Sequence, residues 1–181
     1  MAESLADKVI EGIGQAAELY YRLVVLVGPA GSGKTFTLQE VHRRTGAPLV
    51  NVNLELSRRM LDLSERQRAL QLPRLLAEIV DASAAHVVLL DNIEVLFDVS
   101  LKQDPLRLLQ GLSRNRTIVA AWSGEIRTEG RGMGTELTTA EDSVLSTQFS
   151  SLFLVYATPD HPEYRRYPVR DFLVVQPEAT A

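Results

Sequence analysis

The sequence predicts an α/β fold, with a mainly parallel sheet of about five strands flanked by helices. Short, almost wholly apolar runs at Arg22–Gly28, His86–Asp91 and Thr117–Trp122 read as strands buried on both faces, as in a parallel sheet covered by helices. Helical stretches separate these runs, an alternation that specifies parallel strands joined by right-handed crossovers. A glycine-rich segment follows the first run and opens directly into a helical pattern. At 181 residues the chain is expected to form one domain, residues 1–181.

Residues 1–21 read as an amphipathic helix, with Leu5, Val9, Ile13 and Ala16 or Ala17 on one face and Asp7, Lys8, Glu11 and Gln15 elsewhere. Its expected role is to cover one face of the sheet. A second helix spans about Gly33 to Arg44 and is stopped by Gly46 and Pro48. Leu49–Leu54 is expected to be a strand, with Asn51 and Asn53 alternating against Val50, Val52 and Leu54. After the polar stretch from Arg58 to Gln71, Pro73 suits the first position of a helix running to Val80. Asp104 and Pro105 form an N-cap and first residue for a helix carrying Leu106, Leu109 and Leu112. Ser151–Tyr156 reads as the fifth strand, and Phe172–Val175 as an edge strand. Residues 125–150, rich in Gly, Thr and Ser, read as a mobile excursion from the domain.

Composition narrows the function. The chain is 45% hydrophobic and 23% charged, close to globular averages. No run approaches the ~18 apolar residues of a membrane span. The start lacks the basic-then-apolar layout of a signal peptide. There are no cysteines, which excludes disulfides, thiolate metal sites and a cysteine nucleophile. These features lead us to expect a cytoplasmic protein. A net charge of −4 argues against wrapping nucleic acid with the whole surface, though sixteen of the nineteen cations are arginine and some are clustered.

The motif that carries chemistry is Gly28-Pro29-Ala30-Gly31-Ser32-Gly33-Lys34-Thr35, which fits the phosphate-binding pattern G-x-x-x-x-G-K-[ST]. Glycines let successive backbone N–H groups point into one concavity, and the following helix presents its positive end. This segment, with Phe36 after it, is expected to bind ATP or ADP. Lys34 would reach the β- and γ-phosphates, and the Thr35 hydroxyl would ligate Mg²⁺. Asp91, ending an apolar strand, is the expected acidic partner for Mg²⁺, on the premise that its strand lies directly beside the first. The position after it, a water-polarising glutamate in many hydrolysing proteins of this type, is Asn92. Glu94 is either the replacement base or the solvent-facing start of a helix.

Ser123 stands where a polar side chain often senses the γ-phosphate, or else it caps the strand. Arg114 and Arg116 read as a charge-stabilising finger toward a neighbour's nucleotide, or as solvated surface. Arg58, Arg59, Arg66, Arg68 and Arg74 form one basic patch. A second interleaves Arg165 and Arg166 with Tyr164 and Tyr167. Both patches suit DNA or a protein partner, or are solvated surface. The Asn-Lys-x-Asp signature of guanine readers is missing, which favours ATP.

Several segments carry a family resemblance: Leu49–Ser57, Leu89–Phe97, Asp104–Gln110, Leu112–Thr117 and Pro162–Pro168. Across roughly Leu23 to Pro168 the chain resembles BrxF, the small P-loop protein family of type 3 BREX (bacteriophage exclusion) systems. The resemblance implies membership of a bacterial anti-phage complex that also contains a DNA methyltransferase, a helicase and large companion proteins. Asp91-Asn92-Ile93-Glu94 is also similar to the corresponding site of DnaA-related AAA+ regulators, in which nucleotide state governs assembly. The AAA+ likeness carries over Lys34, Thr35 and Asp91. About two dozen residues follow Tyr156, too few for the helical lid of a full AAA+ protein, so residues acting in trans are expected from neighbours in a nucleotide-dependent oligomer or from partners.

Overall fold

The computed structural model describes residues 3–129 and 151–177. Its main sheet has five parallel strands: β1 (Leu23–Gly28), β2 (Leu49–Asn51), β3 (Val87–Asp91), β4 (Thr117–Ser123) and β8 (Leu173–Val175). The strand order is β2-β3-β4-β1-β8. Helices α1 (Leu5–Ala16) and α2 (Lys34–Thr45) cover one face, with Val9, Leu38 and Val41 packed on Val24, Leu26, Leu89 and Val119. Helices α3 (Val52–Met60), α4 (Glu65–Asp81) and α5 (Pro105–Leu112) cover the other, where Leu56, Leu72, Leu76 and Leu109 meet Val25, Leu90, Ile118 and Ala120.

Local chemistry accounts for several departures from expectation. The N-terminal helix begins at Leu5, because Ser4 and Asp7 form a capping box, and it stops at Ala16, short of residue 21. The expected strand 49–54 ends at Asn51, whose side chain accepts the Leu54 N–H and starts α3 at Val52. Capping outweighs the polar–apolar alternation there. Pro73 lies inside α4, which starts eight residues earlier at a Ser64–Gln67 capping box. A proline at 73 offers no N–H to the Ala69 carbonyl. Gln103 Nε2 supplies the missing donor at 2.7 Å, so the helix continues through the proline. Asp104 and Pro105 do cap and open α5.

The largest correction concerns the fifth strand. Ser151–Tyr156 (β6) is not in the main sheet. It pairs antiparallel with β5 (Glu125–Glu129) and β7 (Arg165–Pro168) in a separate three-stranded sheet. The fifth parallel strand is Leu173–Val175, at the edge beside β1. The start of the expected excursion is therefore strand, and residues 130–150 lie outside the described residues.

The small sheet is seated by aromatic packing. Phe97, in a 3₁₀ turn after β3, stacks on Tyr156 with centroids 3.6 Å apart and meets Trp122 edge-on at 5.0 Å. Trp122 Nε1 donates to the Val155 carbonyl at 3.2 Å. Gly124, between β4 and β5, sits in this junction. A Cβ there would collide with the Val155 carbonyl oxygen and lie 2.9 Å from Trp122 Nε1. Gly124→Ala is therefore expected to cost about 1–3 kcal/mol of stability by overpacking, read from urea unfolding. A loss below about 0.5 kcal/mol, the scale of an ordinary surface change, would show that the sheet shifts freely.

Candidate nucleotide site

The site is built where β1 ends. Gly28 passes so close to the returning loop that a Cβ would lie 2.5 Å from Ser32 Oγ. Gly31 and Gly33 have φ of +79° and +90°, which side-chain-bearing residues rarely adopt. Their turns bring the chain back over β1 and deliver it into α2 at Lys34. Lys34 is only 7% exposed and its Nζ donates to the carbonyls of Gly28 (2.9 Å) and Pro29 (2.7 Å). Burial pushes the Lys34 ammonium below the ordinary lysine pKa, while the carboxylates of Glu94 and Asp91 oppose that shift.

Thr35 Oγ1 donates to Asp91 Oδ2 at 2.7 Å, which joins the loop to the end of β3. This contact arises from a topology other than the expected one: β4 lies between β1 and β3, so Asp91 stands two strands from Gly28. The intervening strand delivers Ser123, in register with Gly28, between them. Asp91 Oδ1 accepts the Asn92 N–H at 2.9 Å. Asn92 is left-handed (φ 53°) and its carbonyl accepts the Asn53 N–H of α3 at 3.1 Å. That turn aims Glu94 back toward the loop, where its carboxylate accepts the Ser123 hydroxyl at 2.8 Å. The Ser123–Glu94 pair could not be read from sequence, where each residue carried its own alternatives.

Ala30, Gly31, Gly33, Lys34, Thr35, Asp91, Asn92, Glu94 and Ser123 line one cleft of about 400 Å³. Its size suits a small polar ligand. Phe36 is 72% exposed beside it, and Pro29 contributes its carbonyl to Lys34. Among the described residues no cluster of three or more His, Asp or Glu could cage a metal. One hydroxyl and one carboxylate still fit Mg²⁺, which keeps several waters and takes further ligands from phosphates.

Arg114 and Arg116 are not brought to this cleft. Both precede β4, about 20 Å from its Ser123 end. Arg114 lies over the Tyr20 ring at 5.1 Å. Arg116 donates to the carbonyls of Val80 and Ser83 and pairs with Asp81, closing the end of α4. The basic patches are also largely engaged within the domain. Arg68 donates to the Met60 and Leu63 carbonyls, both at 3.0 Å. Arg58 pairs with Glu55, and Arg59 and Arg74 with Glu78. Arg165 donates to the Gln103 carbonyl, and Arg166 lies 3.7 Å from the Phe153 ring centre. Tyr167 donates to Asp104 at 2.8 Å, and burial followed by that partner pushes its phenol well above the usual pKa. Arg66, with Lys102, lines a separate surface cleft.

A five-stranded parallel sheet, a glycine loop running from its second-to-edge strand into a helix, and an acid meeting the loop threonine define the fold of a P-loop nucleoside triphosphatase. The chain belongs to the ATPase family associated with various cellular activities (AAA), whose model matches residues 24–121. Members of that family generally bind ATP with Mg²⁺. Among solved structures the chain is similar to PCH-2 of C. elegans, at 17% identity and a TM-score of 0.38. That match covers 77% of this chain, which spans 40% of the length of PCH-2. No curated protein matches the chain. No helix among the described residues is long and apolar enough to cross a membrane.

Proposed function

We propose that the chain binds ATP with Mg²⁺ and acts as a nucleotide-dependent assembly or regulatory ATPase of a bacterial BREX anti-phage complex. The observation that carries the nucleotide reading is the Thr35–Asp91 bond, set beside Lys34 in one open cleft. Phosphates entering there meet backbone N–H groups of residues 30–35, and Lys34 exchanges its two loop carbonyls for phosphate oxygens. Thr35 and Asp91 would hold Mg²⁺, which neutralises charge on the phosphates when bound. Glu94 is the carboxylate available to take a proton from water. The BREX assignment rests on the family resemblance of the segments around Asn51, Asp91, Asp104 and Tyr164.

A second reading has its own observation: Asn92, next to Asp91, carries no carboxylate. On that reading the nucleotide is held without turnover, and Arg58, Arg59, Arg66, Arg68, Arg165 and Arg166 contact DNA or a companion subunit. Mass in solution, measured with and without ATP and Mg²⁺ alongside phosphate release, tests the two. The assembly ATPase is expected to form a larger species with ATP that reverts as phosphate is released. Constant mass without turnover, with and without DNA, would overturn it in favour of the module.

A further inference from the structure

We propose that Tyr156, contributed by the three-stranded sheet, is a positioning residue for ATP hydrolysis: by stacking on Phe97 it fixes the 3₁₀ turn that holds the Glu94 carboxylate in the cleft. This rests on the nucleotide reading above, with Glu94 as the group that takes the water proton. In a 3₁₀ turn the side chains at i and i+3 eclipse, so Glu94 and Phe97 lie in one row of the turn Ile93–Phe97. Both meet the end of β4: the Glu94 carboxylate accepts the Ser123 hydroxyl, and Phe97 packs edge-on against Trp122. Tyr156 completes the packing, its ring stacked on Phe97 with centroids 3.6 Å apart and an interplanar angle of 15°. Burial, then the nearby carboxylates of Glu163 and Glu94, pushes the Tyr156 phenol up to about 12. The ring that supports the turn therefore also lies within electrostatic reach of the carboxylate that the turn carries.

The two ends of the turn are held differently. Before it, the Asn92 N–H donates to Asp91 and the Asn92 carbonyl accepts the Asn53 N–H. After it, the Asp98 N–H returns to the Val95 carbonyl inside the turn, and the outward fixing comes from side chains: Ile93 and Leu96 in the core, Phe97 in the aromatic seat. Of these three, Phe97 shares its row with Glu94. The small sheet keeps other ties without the stack. Trp122 Nε1 holds the Val155 carbonyl, Tyr167 donates to Asp104, and Arg165 donates to the Gln103 carbonyl. Replacing the Tyr156 ring thus removes support behind Glu94 while the sheet stays attached. In the step served, a water oxygen bonds to the γ-phosphorus, the β–γ bridging oxygen leaves with its electron pair on ADP, and the water proton passes to Glu94. Misplacing a participating group by about 1 Å costs up to about 100-fold in rate.

The test reads single-turnover phosphate release per ATP bound, with ATP affinity measured alongside. Tyr156→Leu keeps apolar bulk but no flat ring. It is expected to slow release at least about tenfold and to leave ATP affinity within about twofold. Tyr156→Phe keeps the stack without the phenol and is expected to retain the unmodified rate. In a Glu94→Gln background, Tyr156→Leu is expected to slow the residual release less than about twofold, because it acts through the carboxylate already lost. An equal slowing in both backgrounds, or none in either, would overturn the proposal. A slow Tyr156→Phe would overturn it by assigning the effect to the phenol, and a Tyr156→Leu protein that no longer folded and bound ATP would do so by assigning it to the fold. If the unmodified protein released no phosphate from ATP, the ATPase reading itself would fall; turnover with an additive cycle removes only the role of Tyr156.

Discussion

Lys34→Ala is expected to abolish measurable ATP binding, with affinity falling at least about 100-fold by calorimetry. Two charge-assisted bonds from an ammonium to phosphate contribute about 1.5–3 kcal/mol each, and a tenfold change in affinity corresponds to about 1.4 kcal/mol. The variant is expected to fold. The Gly28 carbonyl keeps the Gly124 N–H and the Pro29 carbonyl keeps the Ser32 N–H at 3.2 Å, so neither loses its last partner. Burial lowers the Lys34 pKa, so the unfolded chain holds that proton more tightly than the folded one. Stability from this group therefore rises as pH climbs toward the unfolded lysine value of about 10.4, and Lys34→Ala should lack that slope. Unchanged ATP affinity in the variant would remove the phosphate loop from the function.

The phosphate loop was legible because its requirements are local: glycines where φ is positive, a buried strand before and a helix after. The α5 start was legible for the same reason, since Asp104 and Pro105 act on the backbone next to them. What escaped depends on partners far along the chain. Pro73 reads as a helix start until Gln103 satisfies Ala69 from thirty-four residues away. Arg68 reads as part of a DNA- or partner-binding patch or as solvated surface, and Arg116 as a charge-stabilising finger or as solvated surface, yet each serves backbone carbonyls near helix ends. Ser151–Tyr156 and Leu173–Val175 are both short apolar runs, and only the aromatic seat formed by Phe97 and Trp122 shows which one leaves the main sheet. From sequence, Asp91 is expected beside Thr35 on the premise of adjacent strands. The contact exists, but across an intervening strand whose end supplies Ser123.

Glu94→Gln is expected to lower ATP hydrolysis by about 10²–10⁴-fold in single-turnover phosphate release while leaving ATP binding in place. The amide has the same shape and still offers an oxygen to Ser123, so the cleft is preserved and only proton acceptance is lost. Among the acidic residues lining the cleft, Asp91 is engaged by Thr35 and by the Asn92 N–H. Glu94 accepts one hydroxyl, that of Ser123. Asn92 cannot substitute, because its side chain is an amide and its backbone is tied to Asp91 and Asn53 in a left-handed turn. That same turn carries Glu94 into the cleft, so the cleft gains a carboxylate two residues after Asp91's neighbour Asn92, which offers none. Hydrolysis unaffected in Glu94→Gln, with ATP still bound, would mean that this displacement has no catalytic consequence and that the proton leaves water by another route.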